Sequence, residues 1–160
     1  MNNKFKIVSN ASKKSKSNDL YFIFLNENIL VKKTENGINI PALDEIKKLN
    51  IEYENEFFLG ELEGQACFGI EAPFEFNLPE NYELIPLYEF GSLIDEEFFL
   101  AAGRANQILN WEKSHKFCGK CGSKKENKKE EIAKVCPNCN HIMYPVICPA
   151  IIVAVTKVDK

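Results

Sequence analysis

Cys118-Gly119-Lys120-Cys121-Gly122 and Cys136-Pro137-Asn138-Cys139 are two C-x2-C pairs separated by 14 residues. Two residues between cysteines let a tight turn aim both sulfurs at one point, with backbone N–H groups of the turn facing them. A second such knuckle on a facing hairpin completes a tetrahedron. Gly122 supplies the permissive φ that a turn needs directly after the first pair. The spacing therefore predicts a four-thiolate zinc site on Cys118, Cys121, Cys136 and Cys139. Four protein ligands close the coordination sphere, so the metal is structural rather than catalytic. His141, two residues after Cys139, is a spare donor that a complete cysteine set does not need. A redox reading of either pair lacks the βαβ context it requires. Cys67 and Cys148 sit in apolar strands and read as small buried hydrophobes.

Eight lysines lie between Glu112 and Lys134, around the knuckles. They are read either as counter-charge to the four thiolates or as a phosphate-facing surface. The net charge of −3 conceals a segregation. Residues 1–40 balance at +4, residues 41–100 at −13 and residues 101–160 at +6. The acidic middle excludes a protein that coats nucleic acid, and only the last third suits an anionic ligand. At 160 residues, 45% of them hydrophobic and 27% charged, the chain is one globular domain or a compact domain with a small appendage. The longest apolar stretch, Tyr144 to Val155, is 12 residues with two prolines and cannot span a membrane. The basic start has no apolar run behind it, so no secretory signal is expected. Six cysteines without such a signal point to a reducing cytoplasm.

Upstream of the knuckles, a long helix is expected from about Ser92 to Ser114. Phe98, Ala101, Ala102, Ala105, Ile108 and Leu109 recur at helical spacing and form one apolar stripe. Ser92 before Asp95 resembles a capping box, or Asp95 itself caps. Gly103 sits mid-helix at a cost of about 1 kcal/mol against alanine, which a close helix–sheet contact would explain. Further back, Leu20–Leu25 and Ile29–Val31 flank a turn at Asn26–Asn28 and predict a hairpin. Glu56–Leu62 and Gln65–Ile70 predict another around Gly64, with a strand at Tyr82–Leu87. Leu43, Ile46 and Leu49 behind Pro41 predict a short helix. The first 18 residues are polar and expected to be frayed or loosely paired. The class is α+β: a small mixed sheet with helices, followed by the four-cysteine module.

The stretch from Ala101 to Gly122, AAGRANQILNWEKSHKFCGKCG, resembles the helix-to-zinc-ribbon junction of bacterial NADH pyrophosphatases, the zinc-containing branch of the Nudix hydrolases. Cys136 to Val155 is similar to that family's passage from the second knuckle into its catalytic domain. The resemblance is dense over residues 98–155 and rests on strand–helix order before that. It implies a Nudix-like N-terminal domain over residues 1–114, a zinc ribbon over 115–145, and the first strand of a catalytic domain over 146–160. Residues 150–155 would then be a strand buried on both faces of a larger sheet. Outside that sheet it is expected to be disordered or paired with a neighbouring molecule.

The Nudix box, G-x5-E-x7-R-E-x2-E-E-x-G, needs an arginine followed by glutamate. Arg104 is the one arginine of the sequence and Ala105 follows it. The box glutamates hold the Mg or Mn ion that activates water, so these 160 residues are expected to be inactive alone. The resemblance implies a parent enzyme that cleaves the pyrophosphate of NAD(H) or a related dinucleotide, works as a homodimer, and takes no nucleic acid except NAD-capped RNA. It assigns dinucleotide contacts to Glu131, five residues before the third zinc cysteine, and to Tyr144 of the Tyr-Pro exit. Against those roles, Glu131 is also a candidate partner of Lys134, and Tyr144 a ring that packs on the ribbon. The family's substrate-contacting arginine has no counterpart in Leu87-Tyr88-Glu89-Phe90. The alternative function is a freestanding zinc-ribbon module that binds protein or nucleic acid.

Overall fold

Residues 4–8, 14–74, 77–146 and 151–156 are described in the computed structural model. Ten strands and three helices follow one another in these residues. They are β1 (Phe5–Lys6), β2 (Leu20–Leu25), β3 (Asn28–Thr34), β4 (Gly37–Asn39), α1 (Leu43–Leu49), β5 (Glu56–Leu62), β6 (Gln65–Glu71) and β7 (Tyr82–Pro86), then α2 (Leu87–Leu93), α3 (Glu96–Ser114), β8 (Glu126–Asn127), β9 (Lys134–Val135) and β10 (Ile142–Met143). A seven-stranded mixed sheet runs β1-β5-β6-β2-β3-β4, with β7 also pairing β3. The central β2–β6 pair is parallel, from Leu20 opposite Cys67 to Phe24 opposite Glu71. The fold is α+β, as the sequence predicts.

The run Leu20-Tyr-Phe-Ile-Phe-Leu25 shows why β2 sits in the middle. Side chains alternate across a strand, and here both faces are covered. Phe22 and Phe24 join Ile29, Val31, Leu59 and the stripe of α3 in one core layer. Tyr21 and Ile23 join Leu30, Phe68, Ile70 and the α1 residues Leu43 and Ile46 in the other. Cys67 is buried in the first layer, as expected of a small hydrophobe. Cys148 lies outside the described residues.

Helix α3 lies against β6 closely enough that a Cβ on Gly69 would stand 3.1 Å from the Ala105 Cβ. The close helix–sheet contact is therefore made by a strand glycine. Gly103, expected to mark it, has nothing within 4 Å of where its Cβ would be. A second correction concerns the helix start. Leu87–Leu93 form the separate helix α2, and α3 begins after Asp95 in the N-cap position. Ser92 lies in the last turn of α2, its hydroxyl donating to the Glu89 carbonyl at 2.7 Å rather than capping α3. The N-terminal stretch is also better tied than expected. Phe5 is buried, β1 pairs with β5, and Phe5 N–H donates to Glu97 Oε2 at 2.8 Å.

The second sheet, β10-β9-β8, is antiparallel and carries the four cysteines around one of its ends. Residues 151–156 form no strand, and Ile151, Ile152, Val153 and Val155 are exposed. No helix among the described residues is long and apolar enough to cross a membrane.

Candidate functional site

Each knuckle is built by a left-handed residue that turns the chain back after its cysteine pair. In the first, Gly122 at φ 75° donates its N–H to the Cys118 carbonyl at 2.8 Å, and Cys118 N–H reaches the Ser123 carbonyl at 2.8 Å. In the second, Asn140 at φ 56° donates to the Cys136 carbonyl at 2.8 Å, and Cys136 N–H reaches the His141 carbonyl at 3.0 Å. Asparagine tolerates this conformation better than most residues, so Asn140 takes the part that glycine plays in the first knuckle. The sequence does hold a signal for this role, an Asn directly after a C-x2-C pair, but the spacing argument does not draw on it.

The four sulfurs converge. Cys118 and Cys139 lie 3.6 Å apart, Cys121 and Cys136 3.4 Å, and Cys121 and Cys139 3.5 Å. All four fall within 4.8 Å of one another, the one such group among the described residues. Zn–S bonds of about 2.3 Å in a tetrahedron put sulfurs about 3.8 Å apart, so the cluster fits zinc with small adjustment. Ligand sulfurs must be thiolates, and the turns favour that form. The Lys120 backbone N–H lowers the Cys118 pKa, and the backbone and hydroxyl of Ser123 bring Cys121 down to about 5. The His141 N–H pulls Cys139 down too, but burial and the three neighbouring sulfurs together push it up to about 12. His141 stands outside the cluster.

Glu131 and Tyr144 arrive together at the opposite end of the ribbon sheet. Tyr144 Oη donates to Glu131 Oε1 at 3.3 Å, and Lys128 Nζ pairs with the same oxygen. Lys128 is the partner of Glu131, correcting the expectation of Lys134. Its hydrogen bond holds the Glu131 carboxyl below the usual carboxylate range. Tyr144 is half exposed rather than packed away. A cavity of about 120 Å³ opens beside them, lined by Asn55, Phe57, Asn127, Lys128, Glu131 and Ile132.

The ribbon is seated on α3. Lys134 is buried, its Nζ 2.8 Å from Glu112 Oε1 and 5.8 Å from the centre of the Trp111 ring. Asn127 Nδ2 reaches Asn55 Oδ1 at 3.2 Å, and Ile132 packs against the first core layer. Several ribbon lysines therefore serve internal contacts. Lys128 and Lys134 pair with carboxylates, and Lys125 is buried with its Nζ 3.0 Å from Met143 Sδ, while Lys113 at the end of α3 pairs with Glu71.

Comparison with known proteins agrees with this layout. Residues 18–111 match the family described as the NADH pyrophosphatase-like rudimentary NUDIX domain. Residues 113–144 match the NADH pyrophosphatase zinc ribbon domain. A protein of Stutzerimonas stutzeri named NAD-capped RNA hydrolase NudC is 32% identical over 126 residues, covering 79% of this chain and 45% of that protein. Its namesake in Haemophilus influenzae is 44% identical over 75 residues, covering 47% of this chain and 28% of its own length. That of Actinobacillus succinogenes is 35% identical over 113 residues, covering 69% and 41%. The chain thus spans less than half the length of these relatives. The two matches divide the chain where the structure does, the first covering the mixed sheet from β2 onward and most of α3 and the second the four-cysteine ribbon, and this chain belongs to the family of NADH pyrophosphatase-like NUDIX domains joined to a zinc ribbon.

Proposed function

We propose that this chain is the N-terminal and zinc-ribbon part of a Nudix hydrolase that cleaves the pyrophosphate of NAD(H), or of NAD-capped RNA, to mononucleotides. The observation that carries the reading is the meeting of Tyr144 and Glu131 at 3.3 Å, beside Lys128 and at the edge of a cavity. The two residues come from different segments of the ribbon, so the folded ribbon is what joins them. An ionised carboxylate next to a half-exposed phenol suits a dinucleotide. The carboxylate accepts hydrogen bonds from ribose hydroxyls, and the ring offers a flat face to a base.

In this reading zinc on Cys118, Cys121, Cys136 and Cys139 is structural and fixes the sheet that presents Glu131 and Tyr144. Residues 146–160 lead into a catalytic domain as its first strand, which suits the exposed side chains of Val146, Ile151, Ile152, Val153 and Val155. The catalytic domain supplies the Mg or Mn ion that assists attack of water on the pyrophosphate. Its carboxylates are absent from these 160 residues, so the chain alone is inert. The parent enzyme works in the cytoplasm, where thiols stay reduced, as a homodimer.

The test is NADH hydrolysis by the full gene product and by this chain. The 160-residue chain is expected to release no mononucleotide with Mg or Mn. In the full product, Glu131→Gln and Tyr144→Ala should each lower kcat/KM by about tenfold, through loss of a hydrogen bond to a charged group and of the ring face respectively. Turnover by the short chain, or unchanged kinetics in both variants, would overturn the reading.

A further inference from the structure

We propose that the first zinc knuckle is a docking face for single-stranded RNA, gripping nucleotides that lead away from the capped end. The proposal rests on the reading above for the identity of the RNA. Its evidence is separate, at the other end of the ribbon from Glu131 and Tyr144.

Four features coincide there. Residues 115–125 carry four lysines and no carboxylate, which exceeds the formal −2 of a zinc tetrathiolate. Lys125 is buried, but Lys116, Lys120 and Lys124 are exposed and have no ion-pair partner among the described residues. Phe117 stands among them with 65% of its surface exposed. Phe117 and Lys124 face each other in an antiparallel bridge, so ring and ammonium rise on the same side of the hairpin.

An exposed aromatic ring interleaved with unpaired lysines is the arrangement that holds single-stranded nucleic acid. Bases stack on the ring, and the cations follow the phosphates without reading sequence. The hairpin backbone is rigid, with Lys125 N–H on the Lys116 carbonyl at 2.9 Å and Cys118 N–H on Ser123 at 2.8 Å. Charge elsewhere narrows the path. Residues 41–100 balance at −13, and Lys116 lines a pocket that also holds Glu52, Glu54, Glu71 and Glu112, so a polyanion is favoured on the side of Phe117, Lys120 and Lys124.

The experiment uses the zinc-loaded chain and a 12-nucleotide RNA labelled at its 3′ end, bearing a plain 5′ monophosphate. Binding is followed by fluorescence anisotropy at stepped salt. Wild type should bind with affinity that falls as salt rises. The triple variant Lys116→Gln, Lys120→Gln, Lys124→Gln should bind at least tenfold more weakly. Its log–log salt slope should be shallower by about 2, at roughly 0.7 for each phosphate no longer neutralised. Phe117→Ala should weaken binding roughly fivefold or more, with Phe117→Trp retaining it. Lys47→Gln with Lys48→Gln, on α1, should change nothing. Zinc content of each variant confirms that the knuckle is intact.

No binding by wild type, or equal binding by the triple variant and Phe117→Ala, would overturn the proposal. So would displacement of the RNA by a glutamate-rich peptide at equal charge concentration, which would make the partner an acidic protein. Because the RNA carries no dinucleotide, these results stand apart from the NADH assay. Normal RNA binding with undiminished NADH turnover in Glu131→Gln would leave this proposal in place and remove the other.

Discussion

At the scale of single residues, Glu112 and Lys134 decide how firmly the ribbon is held. Lys134 is 3% exposed, and its ammonium has Glu112 and the Trp111 ring as partners. A buried charge left without its partner is costly, about 3–5 kcal/mol when one member of such a pair is removed. Glu112→Ala should therefore destabilise the protein by about that amount, read from the midpoint of urea unfolding. Lys134→Met together with Glu112→Gln should cost much less, because neither then leaves a buried charge. Glu112 Oε2 and Trp111 Nε1 are buried without hydrogen-bond partners among the described residues, so this corner already carries unmet polar demand. A double variant as damaged as Glu112→Ala would mean the pair matters through packing alone. The pairing could not be read from the chain. Lys134 and Glu131 are near in sequence and suggested one another, but Lys134 in β9 points inward to α3 while Glu131 lies in the preceding turn beside Lys128.

At the scale of elements, the seating of α3 on β6 separates two glycines with opposite expectations. Gly69 faces Ala105 so closely that an added Cβ would make the neighbour give way, whereas Gly103 faces open space within a helix. Gly69→Val should cost about 1–3 kcal/mol by overpacking. Gly103→Ala should stabilise by up to about 1 kcal/mol, since alanine is the better helix former. Urea midpoints moving the same way in both variants would contradict this account of the interface. The long apolar stripe of α3 and both hairpins were legible because their periodicity extends over many residues. Helix α2 was not. Leu87–Leu93 make barely two turns directly after the strand Tyr82–Pro86, and such a run shows no period of its own. The ribbon strands, two residues each, carry no pattern at all, so the cysteine spacing alone announced them. It could not show that β10 returns antiparallel to β9, the register that carries Tyr144 to Glu131.

At the scale of the whole molecule, the ribbon is joined to the preceding domain through Lys134 on α3, Asn127 on Asn55, and Ile132 against the first core layer. Loss of metal should then be felt beyond the ribbon. A chelator, or Cys121→Ser, should lower the melting temperature of the whole chain rather than melt the ribbon silently. Acidification acts the same way, because protons compete with zinc for the thiolates as pH falls. The charge of the chain is segregated as well, residues 41–100 at −13 against residues 101–160 at +6. Everything proposed for Glu131, Tyr144 and the knuckle face depends on a metal-set ribbon. Zinc content with X-ray absorption at the zinc edge, on freshly reduced protein, tests that dependence most directly. The account expects one zinc per chain with four sulfur neighbours at about 2.3 Å. Substoichiometric zinc, or a first shell containing nitrogen or oxygen in place of a sulfur, would contradict it.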